Sequence, residues 1–564
     1  MRRRDRTPAP APPRALTPEL QRRMSFRSIS KVRLCVGMAG ALALPFAWTA
    51  AAAAQDTGGT SVDTVSATVA KNFQMTNLLW IVVAASLVMF MQAGFALLEV
   101  GFCRAKNAAH TMSMNIAVFG TGAAGFFLCG YAFMFGGYFV KLNGADWGYD
   151  TAVGEPLIKF GSDTNWIFLW KGGFALTGTG VITTGAVIGF FLYMLAFMDT
   201  AATIPTGSMA ERWRFKSFVL WGFFCGAIYY PLFGAWTWGG GWLSQLGNSM
   251  SLGQGYVDFA GSGVVHAVGG VAALTGAYVI GPRIGKYGKD GKARGLPGHS
   301  IALAGAGTLI LMFGWFGFNA GSTLQIADGQ FAVVAANTAL AGAFGCCSGM
   351  FWVWKRTGKP DPGMIMNGLL AGLVAITAPC AFVEPWAAAV IGLIAGFIVV
   401  EVVFFVDQKA KIDDPVGAVG VHFANGIWGV IAVGIFASGK YGVDAFGKGV
   451  GWNLTTTHVD ANGSAQGVTG LLYGGGVGQL LAQLMGVATI VIVMGGLSFG
   501  FFKLSNKLFK GGIRSEADDE VAGLDLPEMG VLAYPDFVGT HETFGQSDTV
   551  DTRPDTPATA GSSH

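Results

Sequence analysis

Charge is scarce in this sequence. Of its 564 residues only 12% are Asp, Glu, Lys or Arg, against 52% hydrophobic, and the mean hydropathy is +0.50. Soluble domains carry about 25% charged residues, so this composition excludes that class and describes a chain that lives in lipid. Cysteine is sparse too: seven are scattered, and the one close pair, Cys346/Cys347, lies in an apolar run without metal or redox spacing. These cysteines read as small buried apolar residues. There is no His-Glu-x-x-His helix, no Gly-x-Ser-x-Gly turn and no metal triad, and His541-Glu542 is an isolated pair in the tail. Those absences argue against a membrane enzyme.

What is abundant is glycine, with 86 residues placed inside apolar runs at spacings such as Gly222/Gly226, Gly368/Gly372 and Gly392/Gly396. Small residues at that spacing let helices approach closely in lipid. Runs long enough to cross a bilayer, which needs about 20 residues, fall at 77–103, 112–140, 179–209, 217–243, 258–281, 300–319, 329–354, 363–382, 386–406, 415–437 and 472–503. The expected fold is an all-α integral membrane protein of eleven transmembrane helices, two inverted five-helix repeats plus a final helix.

Residues 1–54 read as an N-terminal extension and cleaved signal peptide, with a second candidate start at Met24 and a small-residue tract, Ala50 to Ala54, before Gln55. An extra span is the alternative for the run from Leu34. A short external segment, 55–76, then precedes the membrane domain, 77–505, and a tail, 506–564, whose low-complexity end from Asp551 to Ser563 is expected to be disordered. Basic connections (Arg104/Lys106, Arg212/Arg214/Lys216, Arg283 to Arg294, Lys355/Arg356/Lys359, Lys409/Lys411) alternate with the acidic stretch 141–165. The positive-inside rule puts the mature amino terminus outside and the tail in the cytoplasm.

Ionisable residues within spans are costly and mark function. The fifth span opens Asp258-Phe-Ala-Gly-Ser-Gly-Val-Val-His266 and the tenth Asp414-Pro-Val-Gly-Ala-Val-Gly-Val-His422, each with His eight positions after Asp. Eight residues rise roughly 12 Å along a helix, so each Asp sits at a membrane face and each His near the midplane. Helices entering from opposite faces bring both histidines to the centre, as inverted repeats do. Helix capping accounts for both aspartates without further function, and no third ligand completes a zinc site with the histidines.

These two segments, together with Gly314-Trp-Phe-Gly-Phe-Asn-Ala-Gly-Ser322, Asp413 before Asp414, Ser208-Met-Ala-Glu-Arg212 and Trp238-Gly-Gly-Gly241, resemble the Amt/Mep/Rhesus ammonium transporter family over about residues 77 to 535. The resemblance implies a plasma (inner) membrane homotrimer with one pore per subunit, carrying ammonium or ammonia and methylammonium, with no cofactor, no metal and no nucleic acid. It assigns Trp238 and Ser322 to an outer recruitment site, Phe197 and Phe318 to a phenyl gate below it, Asp258 to the acidic residue beside it, and His266 and His422 to the twin histidines. Tyr193 stands where Phe is usual, Gly417 where many relatives carry a carboxylate, and Met529 where His is common. Asp414, Gly523 and Asp525 take structural or gating roles, and the tail around Gly523-Leu-Asp-Leu-Pro-Glu-Met-Gly530 is matched to a regulatory segment that a PII-type protein would engage. Asp199, two residues past the gate Phe197, should point away from the pore and pair with another helix or subunit.

Ammonium resembles potassium in size and charge but has N–H donors and a removable proton. Trp238 and Tyr193 supply cation–π attraction and Ser322 an acceptor, while neutral ammonia crosses an apolar lumen far more cheaply than the cation. Electrogenic transport, neutral transport and a sensor that signals through its tail are all compatible with these residues. Passage of carbon dioxide fits less well with an outer site suited to a cation.

Overall fold

The computed structural model describes residues 62–136, 155–161, 166–177, 185–326, 329–440 and 467–535. The signal peptide, most of the acidic 141–165 stretch and the tail beyond 535 lie outside the described residues. The chain divides into two units. Of the first, Met1–Phe73, only 62–73 are described, as the opening of the first helix; Gln74–His564 holds everything else.

Among the described residues, ten helices are long and apolar enough to cross a membrane: α1 Val62–Phe102, α2 Ala105–Phe135, α3 Gly185–Ser208, α4 Phe215–Trp236, α5 Ser262–Ile280, α6 Ile301–Thr323, α7 Gln330–Thr357, α9 Pro385–Gln408, α10 Val419–Phe436 and α11 Gly478–Leu508. The eighth expected span, 363–382, is shorter. Helix α8, Pro362–Ile376, starts on an Asp361 side-chain cap with proline in its first turn. It ends ahead of Ala378-Pro379, where no helical N–H is available to continue it. The freed carbonyls of Thr377 and Ala378 accept from Ala260 and Phe259 just before α5. Among the described residues, ten helices long enough to cross a membrane and one of 15 residues therefore stand where eleven spans were expected.

Two further departures concern the ends. Helix α1 begins at Val62, well before the apolar run at 77, and α2 begins at Ala105 rather than 112. The all-α expectation is relieved by one small antiparallel pair, β1 Glu155–Lys159 with β2 Ile167–Lys171, closed by a Glu155–Lys171 ion pair at 2.8 Å.

Glycine works as the sequence pattern implies. A Cβ on Gly372 of α8 or Gly392 of α9 would lie 2.2 or 2.1 Å from the same carbonyl oxygen, that of Ala341 on α7. All three helices meet backbone to backbone there.

Candidate functional site

The two Asp/His segments form one motif built twice. Asp258 accepts from Gly261 N at 2.9 Å through one carboxyl oxygen and from Gly263 N and Val264 N at 2.8 Å through the other. Asp414 accepts from Gly417 N at 3.1 Å and Val419 N at 2.8 Å. In both, the residue three after the Asp is a glycine at positive φ, 112° at Gly261 and 80° at Gly417, a conformation that penalises a side chain. The capped helices then open with wide i→i+5 turns, Ser262–Ala267 and Val419–Ala424, each containing its histidine. Such turns concentrate at functional positions.

Helices α5 and α10 cross antiparallel. A Cβ on Gly270 would meet Phe423 N at 2.4 Å, one on Gly426 Ala267 N at 2.7 Å, and one on Gly429 Ser262 Oγ at 2.5 Å, so the pairing runs in opposite directions along the two helices. The crossing brings His266 Nδ1 to 3.2 Å from His422 Nδ1, with ring centroids 5.3 Å apart. Two neutral imidazoles in that contact share a single proton, so one is the Nδ1–H tautomer and the other the Nε2–H tautomer. Their Nε2 edges then present one acceptor and one donor. His266 Nε2 is buried with no hydrogen-bond partner among the described residues.

A column of aromatic rings leads to the pair. Phe197 of α3 and Phe318 of α6 stack at 4.0 Å and 18°, both fully buried, leaving no passage between the rings in this state. On one side of them, Trp238 packs edge-on against Phe197 at 5.9 Å and Tyr193 tilts on it at 4.7 Å. On the other, Phe318 lies 5.4 Å from His266, which also stacks on Trp315 at 5.1 Å and 16°. Beyond His422 comes Phe95 of α1, at 6.0 Å. Ser322 donates to the Phe318 carbonyl at 2.8 Å and lies 3.1 Å from the Tyr193 hydroxyl, which also reaches the Gly317 and Phe318 carbonyls at 3.0 Å. The replacement of Phe by Tyr therefore adds polar ties as well as keeping the ring.

The structure thus gathers Tyr193, Phe197, Trp238, Asp258, His266, Phe318, Ser322 and His422 into one buried line. Trp315 and Phe95 were missed. Trp315, held by its indole N–H on Thr377 Oγ1 at 2.9 Å, stands inside the Gly314–Ser322 segment, whereas nothing in the apolar α1 run singles out Phe95.

Asp199 lies on α3, two residues past Phe197. It is buried and within electrostatic reach of Cys225 on α4, but its Oδ1 has no hydrogen-bond partner among the described residues.

Behind Asp414 lies a buried ion network at the tail side. Arg283 binds Asp413 bidentately, Nε at 2.8 Å and one terminal nitrogen at 3.0 Å, and reaches Glu211 at 3.1 Å, while Arg104 also pairs with Glu211. Arg212 fills four main-chain carbonyls, those of Ser208, Ala210, Gly281 and Asp413. Burial works against ionising Asp413, but the Arg283 hydrogen bond and the charges of Arg212 and Arg283 outweigh it and hold the carboxyl well below the usual range. The tail locks onto the same face. Asp525 accepts from His110 N at 2.8 Å, Gly523 takes a φ of 107° against Lys106, and Glu520 pairs with Arg514 and accepts from Ile284 N at 2.7 Å. Among the described residues no group of three or more His, Cys, Asp or Glu is placed to hold a metal.

Fold and site together define a polytopic helical membrane protein with a buried line of aromatic rings leading to a pair of facing histidines. Residues 79–534 match the Ammonium Transporter Family, and the chain belongs to that family. It is 44% identical to the ammonium transporter Amt2 of Archaeoglobus fulgidus over 464 residues, 82% of this chain and 88% of that one. It is 35% identical to ammonium transporter 1 member 3 of Solanum lycopersicum, covering 81% and 93%. Among solved structures, one described as a sensor Amt protein superposes with a TM-score of 0.66 at 32% identity, covering 81% of this chain and 99% of that one. Candida albicans Mep2 gives 0.62 at 27% identity, covering 81% and 90%.

Proposed function

We propose that this protein carries ammonium, and methylammonium, across a membrane by recruiting the cation at Trp238, Tyr193 and Ser322, removing a proton, and passing ammonia between the Phe197 and Phe318 rings and along His266 and His422. Membership of the family supports the substrate. The observation that carries the route is the His266–His422 contact, whose shared proton leaves one donor and one acceptor for a small hydrogen-bonding solute in an otherwise apolar line.

Each part has a physical reason. Cation–π attraction contributes about 0.5 to 2 kcal/mol per ring, most where water is excluded, and draws a cation to the outer aromatics. A bare cation in the bilayer centre costs several kcal/mol or more, so loss of the proton before the gate lowers the barrier, and the phenyl rings must swing apart for passage. Asp258 and Asp414 act by capping, aligning the histidine-bearing turns.

Orientation follows from charge: the face with the basic connections and the tail is cytoplasmic, in the plasma (inner) membrane, with the mature amino terminus outside after removal of 1–54. A homotrimer with one pore per subunit and a regulatory partner of PII type at the tail, 506–564, complete the reading. A second reading, ammonium sensing through the tail, draws on the tail's lock onto the loops beneath the pore and on the similarity to the solved sensor Amt protein. Uptake of labelled methylammonium into proteoliposomes decides between them: uptake that competes with ammonium and falls in His266→Ala supports transport, and binding without uptake supports the sensor.

A further inference from the structure

Glu99 is a carboxyl buried in the apolar α1 helix at 2% exposure, and the route just described does not use it. It lies four residues beyond Phe95, whose ring packs against His422 at 6.0 Å, so Glu99 sits about one helical turn, roughly 6 Å, further towards the tail side on the same face. Thr206 donates its hydroxyl to one Glu99 oxygen and Asn115 its amide to the other at 2.7 Å. Each carboxyl oxygen is thus met by a side-chain donor. Gly207 is wedged between Glu99 and Val416: a Cβ there would meet Glu99 Oε1 at 2.9 Å and Val416 Cγ2 at 2.5 Å. Val416 belongs to the Asp414–Gly417 turn that caps the His422 helix. The acid therefore stands between the histidine pair and the tail-side face, against the turn that aims His422.

Building on the transport reading, we propose that Glu99 is the proton acceptor on the cytoplasmic half of the pore, receiving the proton that ammonium gives up and that reaches His422. In the step, an imidazolium N–H bond breaks with its electron pair left on nitrogen, a water takes that proton while releasing another, and an O–H bond forms on the Glu99 carboxylate. Charge and atoms balance without an oxidant or further reactant. The protonated acid then releases its proton to the cytoplasmic side, where ammonia recaptures one. The charged group that faces Glu99 is Asp414, from the α9–α10 turn; Asn115 of α2 and Thr206 of α3 are neutral.

The test uses the full chain in proteoliposomes, with ammonium pulses read as current on a solid-supported membrane and, in parallel, as luminal pH by an entrapped dye. Glu99→Gln keeps the size and an acceptor for Asn115 but holds no exchangeable acid proton. The expected result is a current at least tenfold below wild type with luminal alkalinisation by ammonia retained, and a measurable current recovered in Glu99→Asp. An unchanged current in Glu99→Gln overturns the proposal. Equal loss of current and alkalinisation in both variants, with assembled protein on size-exclusion, also overturns it, by assigning Glu99 to packing. Wild type that alkalinises without current sinks the relay and spares the pore, whereas wild type silent in both assays sinks the transport reading itself.

Discussion

Trp238 donates its indole N–H to the main-chain oxygen of Asp258 at 2.7 Å. The aromatic face at the mouth of the line and the acid that caps the His266 helix are thus one unit, and a change at either is felt by both.

Trp238→Leu removes the cation–π surface and this hydrogen bond. If the face recruits the cation, the half-saturating ammonium concentration rises by a factor of about 2 to 30, the equivalent of 0.5–2 kcal/mol, while the maximal rate changes less. Current against ammonium concentration measures it, and an unchanged half-saturation point removes Trp238 from recruitment.

Tyr193→Phe keeps the ring against Phe197 and deletes the hydroxyl that meets Ser322. One hydrogen bond is worth about 0.5–1.5 kcal/mol, so the expected shift in half-saturation is under about tenfold. Ser322→Ala on that background should add little if the two hydroxyls act as a pair. The double-variant cycle reads the coupling.

Asp258 holds three main-chain N–H groups and Asp414 two. Each cap lost costs on the order of 1 kcal/mol, so Asp258→Ala lowers the thermal midpoint of the detergent-solubilised protein more than Asp414→Ala does. The reverse order contradicts the capping account.

Arg283→Met removes the bidentate partner of buried Asp413, at a cost on the order of 3–5 kcal/mol, while Glu211 keeps Arg104. The Asp413 carboxyl is held below its ordinary range. Its contribution to stability is therefore present above the unfolded value, about 4, and is lost as the pH falls through the lower folded value. Wild type should lose stability as the pH drops from about 5 to 3, and the variant, already weakened at neutral pH, should show a flatter acid limb. Midpoints against pH measure both.

The histidine pair was legible because its spacing to Asp recurs, and an eight-residue offset has a fixed meaning on a helix. The glycine three residues after each Asp was equally present in the sequence and marks the same turn. Other features leave no such trace. The wide turns at His266, His422 and Phe318 depend on packing, not composition. The early start of α1 was hidden because residues 62–76 are too polar to register as a span yet extend the helix. Glu99 and Asp199 are single acids in apolar runs, and only their surroundings separate them: Glu99 has two donors, and the Asp199 Oδ1 has none among the described residues.

The central claim is selective conduction through the His266–His422 pair. Ammonium pulses on proteoliposomes adsorbed to a solid-supported membrane, with potassium pulses as control and His266→Ala beside wild type, test it most directly. The account predicts a transient current with ammonium, none with potassium, and a changed or abolished ammonium current in His266→Ala. Equal currents for both cations, or an ammonium current that His266→Ala leaves untouched, would contradict it.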